Sequence, residues 1–415
     1  MERLGLGDHF EEDILRALRR CLSPGAVHKS IDKSLHGAAL SFRILRQHGF
    51  EVSQDVFKMF MDGSGSFMKT LGGDVQGMLS LYEASHLAFE GEDILQKART
   101  FAIEHLQSLN PGVSKDLQDQ VKHELELPLH RRMPLLEARR SIEAYSRRGN
   151  TNLLELAVTD FNTSQSTLQR DLQEMLRWDL DAVEGLPGYM KLCYLALYNS
   201  VNEMAYETLK RDRGKRHPVS SESGKSDVSV VSQWYDLCKA FLQEAKWINS
   251  KIIPGVEEYL NNGWASSSGQ VMLTHAYFLS SPGMRKEELE SLEQYDDLLR
   301  LPSLIFRLTN DIASSSAEIE RGETTNSIRC YMQEKGVSET EARQCVTEQI
   351  DMAWKKMNKY MVHHSTFDRS FVRMAYNLAR MAHCVYQDGD AIGAPDDQSW
   401  SRVHSLIIEP VSLAP

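Results

Sequence analysis

Apolar residues in this chain return every three to four positions over long stretches, and that spacing restricts the fold more than any other feature. Ile14, Leu18 and Cys21-Leu22 mark one amphipathic helix, and Leu79, Leu81-Tyr82 and Leu87-Ala88-Phe89 mark another. Leu237, Phe241, Ala245, Ile248 and Ile252 recur at helical spacing, as do Phe371, Ala375, Leu378-Ala379 and Ala382. A half-buried strand would need alternation with period two, and β-branched runs are few. With 12 prolines among 415 residues, obligatory helix breaks are also few. The expected fold class is all-α, and no internal repeat of fixed period is evident.

A chain of 415 residues is long enough for two domains. The polar turn Arg147-Arg148-Gly149-Asn150 precedes the apolar Leu153-Leu154-Glu155-Leu156-Ala157 segment. It sets an expected boundary between an N-terminal helical domain, 1–148, and a C-terminal one, 149–415. Arg211 to Asp227 is polar, basic and Gly/Ser-rich, with Pro218, and reads as a flexible loop or, less simply, a phosphate-binding patch. The formal net charge is −11 with no basic stripe, which excludes nucleic acid as the expected partner. An acidic chain can still take an anionic substrate where bound metal ions supply the positive charge. No apolar run is long enough to span a bilayer, so no membrane partner is expected. The six cysteines (Cys21, Cys193, Cys238, Cys330, Cys345, Cys384) are scattered without a CxxC and read as buried thiols of a reducing compartment.

The run Asn310-Asp311-Ile312-Ala313-Ser314-Ser315-Ser316-Ala317-Glu318 carries chemistry. Asn310, Ser314 and Glu318 stand at i, i+4 and i+8, which places an amide, a hydroxyl and a carboxylate within an arc of about 80° on one helix face. Such hard oxygen donors suit Mg²⁺, which keeps the rest of its octahedron for water and substrate phosphates. Leu304-Ile305-Phe306 and Ile312 flank the stripe with apolar surface, as at the wall of a pocket. The same spacing also describes a solvated polar helix face.

Phe306-Arg307-Leu308-Thr309-Asn310-Asp311 followed by Glu318-Ile319-Glu320-Arg321-Gly322-Glu323 resembles the second metal-binding motif of plant terpene synthases. Further segments resemble the same family in the same order. Among them are Arg3-Leu4-Gly5-Leu6-Gly7, Leu45-Arg46-Gln47-His48-Gly49-Phe50, Leu127-Pro128-Leu129-His130, Gln243-Glu244-Ala245-Lys246-Trp247 and Ser327-Ile328-Arg329-Cys330-Tyr331-Met332. The resemblance runs nearly end to end. It is nearest in look to isoprene, ocimene and related hemi- or monoterpene synthases. It implies two helical domains, the C-terminal one an α-bundle of the class I type.

The resemblance also exposes a gap. The family binds its metal cluster from two sides, the second being an Asp-Asp-x-x-Asp helix. Asp296-Asp297 is followed here by Leu298-Leu299-Arg300 and Asp396-Asp397 by Gln398-Ser399-Trp400, so neither supplies the third Asp. Leu176-Arg177-Trp178 resembles one family segment and Trp178-Asp179-Leu180-Asp181 a later one, fused at a shared Arg-Trp. By resemblance a long stretch is missing there, carrying the aspartate-rich helix and an Arg-x-Arg that grips diphosphate. The start, with Glu2, Asp8, Glu11, Glu12 and Asp13, is acidic and unlike a transit peptide. A plastid location is thus implied by the family and a cytoplasmic one by the chain as written.

What the resemblance implies for single residues is as follows. Asn310, Ser314 and Glu318 match metal ligands, for Mg²⁺ or alternatively Mn²⁺, and Asp311 matches a supporting acid. Arg307, one turn before Asn310, resembles the diphosphate-binding arginine, its alternative being a salt bridge to an acid such as Asp311. Glu244 reaches the metal shell through water or is an exposed helix acid. Phe306 and Tyr386, with Trp264, are candidates for the dry aromatic pocket that stabilises a carbocation, or are plain core. Phe306, Ser267 and Asn326 stand where isoprene synthases share Phe, Ser and Asn. Tyr386-Gln387-Asp388-Gly389-Asp390 resembles the loop capping the site, where Tyr386 and Asp390 manage final proton loss, or is a solvated acidic turn.

Two functional readings follow. One is a Mg²⁺-dependent enzyme that ionises dimethylallyl or geranyl diphosphate, a monomer or weak homodimer releasing isoprene or an acyclic monoterpene such as ocimene or linalool. The other is a catalytically inactive helical remnant of such an enzyme. A chain-elongating prenyltransferase would need two Asp-rich motifs and fits poorly.

Overall fold

The computed structural model describes residues 1–21, 34–108, 114–145, 151–175, 223–280, 285–320, 325–363 and 365–412. Among these every extended element is helical, and the sole β-pairing is an isolated bridge between Met61 and Phe67. The all-α expectation holds. The chain divides into two compact units, one of Met1–Phe161, Asp351–His364 and Val411–Pro415, the other of Asn162–Ile350 and Ser365–Pro410. The division falls inside a helix, and the polar turn at 147–150 lies outside the described residues, as does the junction at Trp178-Asp179.

The first unit is built on α1 (Glu11–Cys21), α2 (Leu35–Gln47), α3 (Val75–Ser85), α4 (Asp93–Gln107), α5 (Lys115–Glu126), α6 (Pro134–Tyr145) and the start of α7 (Thr151–Met175). α3 is buried from Gly77 to Ser85 and packs between α2 and α4. Leu79, Leu81 and Tyr82 fill the core there with Phe42 and Phe57, whose rings meet edge to face at 5.2 Å. The caps follow sequence chemistry: Ser34 accepts from the Gly37 N–H and Asp74 from the Gly77 N–H, satisfying donors that helix starts leave free. A second feature is ionic. Buried Arg132 donates to Glu124 at 2.9 Å and to Glu137 at 3.0 Å, and Glu83, hydrogen-bonded to Glu124, accepts the Leu129 N–H.

The second unit contains α8 (Ser223–Ser250), α9 (Val256–Ser266), α10 (Gly269–Ser280), α11 (Lys286–Glu293), α12 (Asp297–Glu320), α13 (Ser327–Lys335), the first half of α14 (Glu339–Val362) up to Ile350, α15 (Arg369–Tyr386) and α16 (Asp397–Ile407). α12 lies against α15, α9, α10 and α13. Leu298, Leu299, Ile305 and Leu308 of α12 are fully buried, as are Phe371, Ala375, Ala379 and Ala382 of α15. α10 approaches α12 so closely that a Cβ at Gly269 would lie 2.5 Å from Ser303 Oγ.

Three sequence expectations change. The loop read over Arg211 to Asp227 is helical from Ser223, where α8 begins, and its earlier part lies outside the described residues. α8 forms as its periodicity indicates but buries a different face. Gln233, Leu237, Ala240 and Trp247 are inside, whereas Phe241, Leu242 and Ile248 are exposed. The reason is positional: Trp247 seats against Tyr259 of α9, ring centroids 6.4 Å apart, and the same side of α8 packs on α9, α10 and α11. Of the described cysteines, Cys330 is buried but Cys238 is exposed, so the reading of buried thiols fails at Cys238.

Candidate active site

α12 carries the stripe, and the structure brings the side chains of Ser314 and Glu318 together while the Asn310 side chain meets Tyr386. Ser314 Oγ donates to Glu318 Oε1 at 2.6 Å and also lies 2.9 Å from the Asn310 carbonyl. The single hydroxyl proton serves one of these at a time. The Tyr386 hydroxyl is hydrogen-bonded to the Asn310 side chain, and the Tyr386 ring stands edge-on to Phe306 at 5.7 Å. Asn310, Phe306 and Tyr386 thus form one cluster where α15 ends against α12. Burial first, then the charge of Asp390, push the Tyr386 phenol up to about 12, so it is protonated at neutral pH.

Beside the stripe lies a buried ionic network. Arg307 Nε donates to the Tyr259 hydroxyl at 2.8 Å and lies 3.1 Å from Asp311, and Nη2 is 3.1 Å from Glu244. Tyr259 donates to Asp311 at 2.8 Å, Asp311 accepts the Ser327 N–H at 3.0 Å, and Ser266 Oγ donates to Glu244 at 2.6 Å. Burial would loosen the Arg307 proton, but Tyr259, Asp311 and Glu244 more than offset it and hold the guanidinium charged well beyond its ordinary range. Burial also raises the Tyr259 phenol well above its usual value, and adjacent Asp311 adds to this. Arg307 therefore makes the salt bridge to Asp311 that the sequence left open. The Arg307 stem needs Gly263 opposite, where an added Cβ would sit 3.2 Å from Arg307 Cγ.

The remaining candidates divide. Ser267 Oγ donates to the Trp264 carbonyl at 2.7 Å in the α9–α10 turn, where Ser268 takes φ 62°. Trp264 packs edge-on to Tyr295 at 5.3 Å, with the Arg300 guanidinium 5.7 Å from its ring. Asp390 accepts the N–H groups of Ile392 and Gly393 at 3.1 and 2.9 Å, so it builds its own turn. Asn326 is buried and donates to Glu318 Oε2 at 3.0 Å.

Sequence reasoning missed Tyr259 and Arg343. Tyr259, Gly263 and Ser266 stand at i, i+4 and i+7 on α9, a face of one phenol and small residues that was there to be read. Arg343 of α14 donates to the Ile312 carbonyl at 2.9 Å and to Ser315 Oγ at 2.5 Å, holding the back of the stripe.

The donor set fits Mg²⁺ on chemical grounds, since two of its three hard oxygens already touch. Among the described residues no group of three or more His, Cys, Asp or Glu side chains gathers to hold a metal, so the stripe offers one carboxylate and neutral oxygens.

Comparison with known proteins decides the family. Residues 158–356 match the terpene synthase family, metal binding domain, and residues 1–125 match the terpene synthase N-terminal domain. The chain belongs to the terpene synthase family. It is 44% identical to the chloroplastic isoprene synthase of Populus tremuloides, covering 99% of this chain and 80% of that one. It is 41% identical to the chloroplastic tricyclene synthase of Medicago truncatula, covering 99% and 83%. The crystal structure of isoprene synthase from grey poplar (Populus x canescens), in complex with three Mg²⁺ ions and dimethylallyl-S-thiolodiphosphate, superimposes with a TM-score of 0.88 at 44% identity, covering 99% and 91%. The terpene synthase alignment to Populus tremuloides spans 488 positions against 415 residues here, so that relative carries internal sequence this chain lacks. No described helix is long and apolar enough to cross a membrane.

Proposed function

We propose that the second unit ionises an allylic prenyl diphosphate, dimethylallyl or geranyl, and releases isoprene or an acyclic monoterpene such as ocimene or linalool. The observation that carries this reading is the Ser314–Glu318 contact on the α12 face that also bears Asn310, with Arg307 a turn away and ion-paired to Asp311 and Glu244. Magnesium, when bound, supplies the charge that neutralises the leaving diphosphate oxygen. Arg307, fixed in its charged form, grips phosphate oxygens once Nη2 leaves Glu244, and Glu244 then faces the metal shell. The Phe306 and Tyr386 rings offer π-faces to the allylic cation, with Trp264 farther along α9, and exclude water from it. Tyr386 keeps its own proton at neutral pH, so Asp390 is the final acceptor and the phenol the relay. Ser267, in the α9–α10 turn, and Asn326, at the cap of α13, are included as pocket residues on the resemblance to isoprene synthases. By analogy with the chloroplastic relatives we place the mature protein in the plastid, as a monomer or weak homodimer of domains 1–148 and 149–415.

The test is incubation of the purified chain with each diphosphate and Mg²⁺, with headspace analysis. The expected outcome is product at a small fraction of the poplar enzyme's turnover, because the facing Asp-Asp-x-x-Asp helix is not in the sequence and electrostatic stabilisation is usually the largest catalytic term. Family-typical turnover would show that the second flank of the clamp is dispensable. Inserting the relative's extra stretch at Trp178-Asp179 should restore turnover and solubility together.

The alignment that is longer than the chain favours a second reading, a folded remnant without turnover. Product wholly absent from the chain and present in the chimera supports it.

A further inference from the structure

Asn326 stands outside the helix that carries the metal motif, yet both ends of its side-chain amide are committed. Its Oδ1 accepts the Arg329 N–H at 2.9 Å and caps the N-terminus of α13. Its Nδ2 donates to Glu318 Oε2 at 3.0 Å, while the other carboxylate oxygen, Oε1, takes the Ser314 hydroxyl. The amide cannot be turned the other way, because a backbone N–H demands an acceptor and a carboxylate demands a donor. Asn326 is 1% exposed, so no water replaces either bond.

Glu318 needs such a donor. It sits in the last turn of α12, where the helix dipole presents its negative end and disfavours a carboxylate. A second tie, from the Ser327 N–H to Asp311, holds the first turn of α13 against the same helix. α13 is thereby tied to α12 at two points, Asp311 and Glu318.

We infer that Asn326 is a positioning residue for the metal site: its amide N–H aims the Glu318 carboxylate along the stripe, and the α13 cap aims the amide. This rests on the reading of Glu318 as a metal ligand given above. It is distinct from a role for Asn326 in shaping the apolar pocket, since Oδ1 and one Nδ2 proton of the amide are already engaged with α13 and Glu318. Partners that orient a metal ligand are typically worth about ten- to a hundredfold in metal affinity.

The test titrates the full chain with Mn²⁺ alone, followed by electron paramagnetic resonance, and records metal-free melting of each variant. Asn326→Ser retains a cap oxygen too short to serve Glu318 as well, and Asn326→Gly is a second variant that caps nearly as well. Both should weaken Mn²⁺ binding by about tenfold or more while melting close to the unsubstituted protein. Glu318→Gln should abolish most of the binding. If Glu318→Gln removes Mn²⁺ and the two Asn326 variants bind as before, the positioning role is wrong and the ligand assignment survives. A lower melting point with unchanged affinity would likewise reduce Asn326 to a helix cap. If Glu318→Gln leaves binding unchanged, or the unsubstituted chain takes up no Mn²⁺, the ligand reading falls and the positioning role with it.

Discussion

Each unit buries an arginine among carboxylates, and the two clusters are finished to different degrees. In the first unit Arg132 meets Glu124 and Glu137 and also donates to the Leu127 and His123 carbonyls at 2.7 and 3.0 Å, so its donors are spent within the unit. Glu83 completes the arrangement. Burial and then the Glu124 charge push its carboxyl well above the ordinary range, so it keeps a proton and shares it with Glu124. In the second unit Arg307 meets Asp311, Tyr259 and Glu244, but Glu244 is held by one oxygen that it also lends to Ser266. The Arg307 network also lies beside the Asn310/Ser314/Glu318 stripe on the same helix. A closed cluster fixes a fold, whereas one with a partner held through a single shared oxygen can exchange that partner for a substrate.

The sharpest way to break this contrast is Arg132→Leu, which leaves Glu124 and Glu137 buried without their cation. The expected loss is about 3–5 kcal/mol in urea unfolding, and a loss below about 1 kcal/mol would mean that water already reaches the cluster.

Acid titration probes the same cluster. Burial would raise the Glu137 carboxyl, but neighbouring His123 and Arg132 outweigh it and hold it at about 2. A depressed folded-state value means that the stabilisation is present above the unfolded value of 4.5 and disappears as pH falls from there toward about 2. The contribution is up to about 3 kcal/mol. Glu137→Gln should flatten melting temperature against pH across that window, and an unchanged acid limb would assign the loss to other groups.

On the open side, Arg307→Lys keeps the charge but not the two-pronged grip. Turnover per folded molecule should fall about tenfold or more, near 1.4 kcal/mol, with a smaller change in melting temperature. Equal losses in both would make Arg307 as structural as Arg132.

The smallest expected effect is Glu83→Gln, which imitates the protonated acid and can still accept from Leu129. Because the folded-state value of Glu83 is raised, ionisation strain grows as pH rises above 4.5. The variant should match the unsubstituted protein at pH 4 and exceed it by at most about 1 kcal/mol at neutral pH. Destabilisation at neutral pH would show that the shared proton is not there.

The helices and the stripe were legible because both are written in local spacing. Asn310, Ser314 and Glu318 lie within two turns, and Phe371, Ala375 and Ala379 repeat the period of the surface they bury. The Arg307 network was legible only in part. Asp311 is one turn away, but Tyr259 and Glu244 reach Arg307 from other helices, and local period carries no information about which faces meet. The same limit explains α8: its apolar residues announce a helix, but the Trp247–Tyr259 contact, not the count of apolar side chains, decided that Phe241 and Ile248 stay outside. Asn326 was noticed as a pocket residue by resemblance, and its second bond became visible only when α13 was seen folded back on α12.

That outward side of α8 has a consequence beyond the site. Tyr235, Phe241, Leu242 and Ile248 give it the character of a surface that cellular chaperones and proteases hold on to. Volatile output from a leaf or a microbial host scales with how many copies survive as well as with how fast each works. Replacing Phe241 and Leu242 by glutamate or lysine is therefore expected to raise the amount of intact protein without altering the Asn310/Ser314/Glu318 stripe.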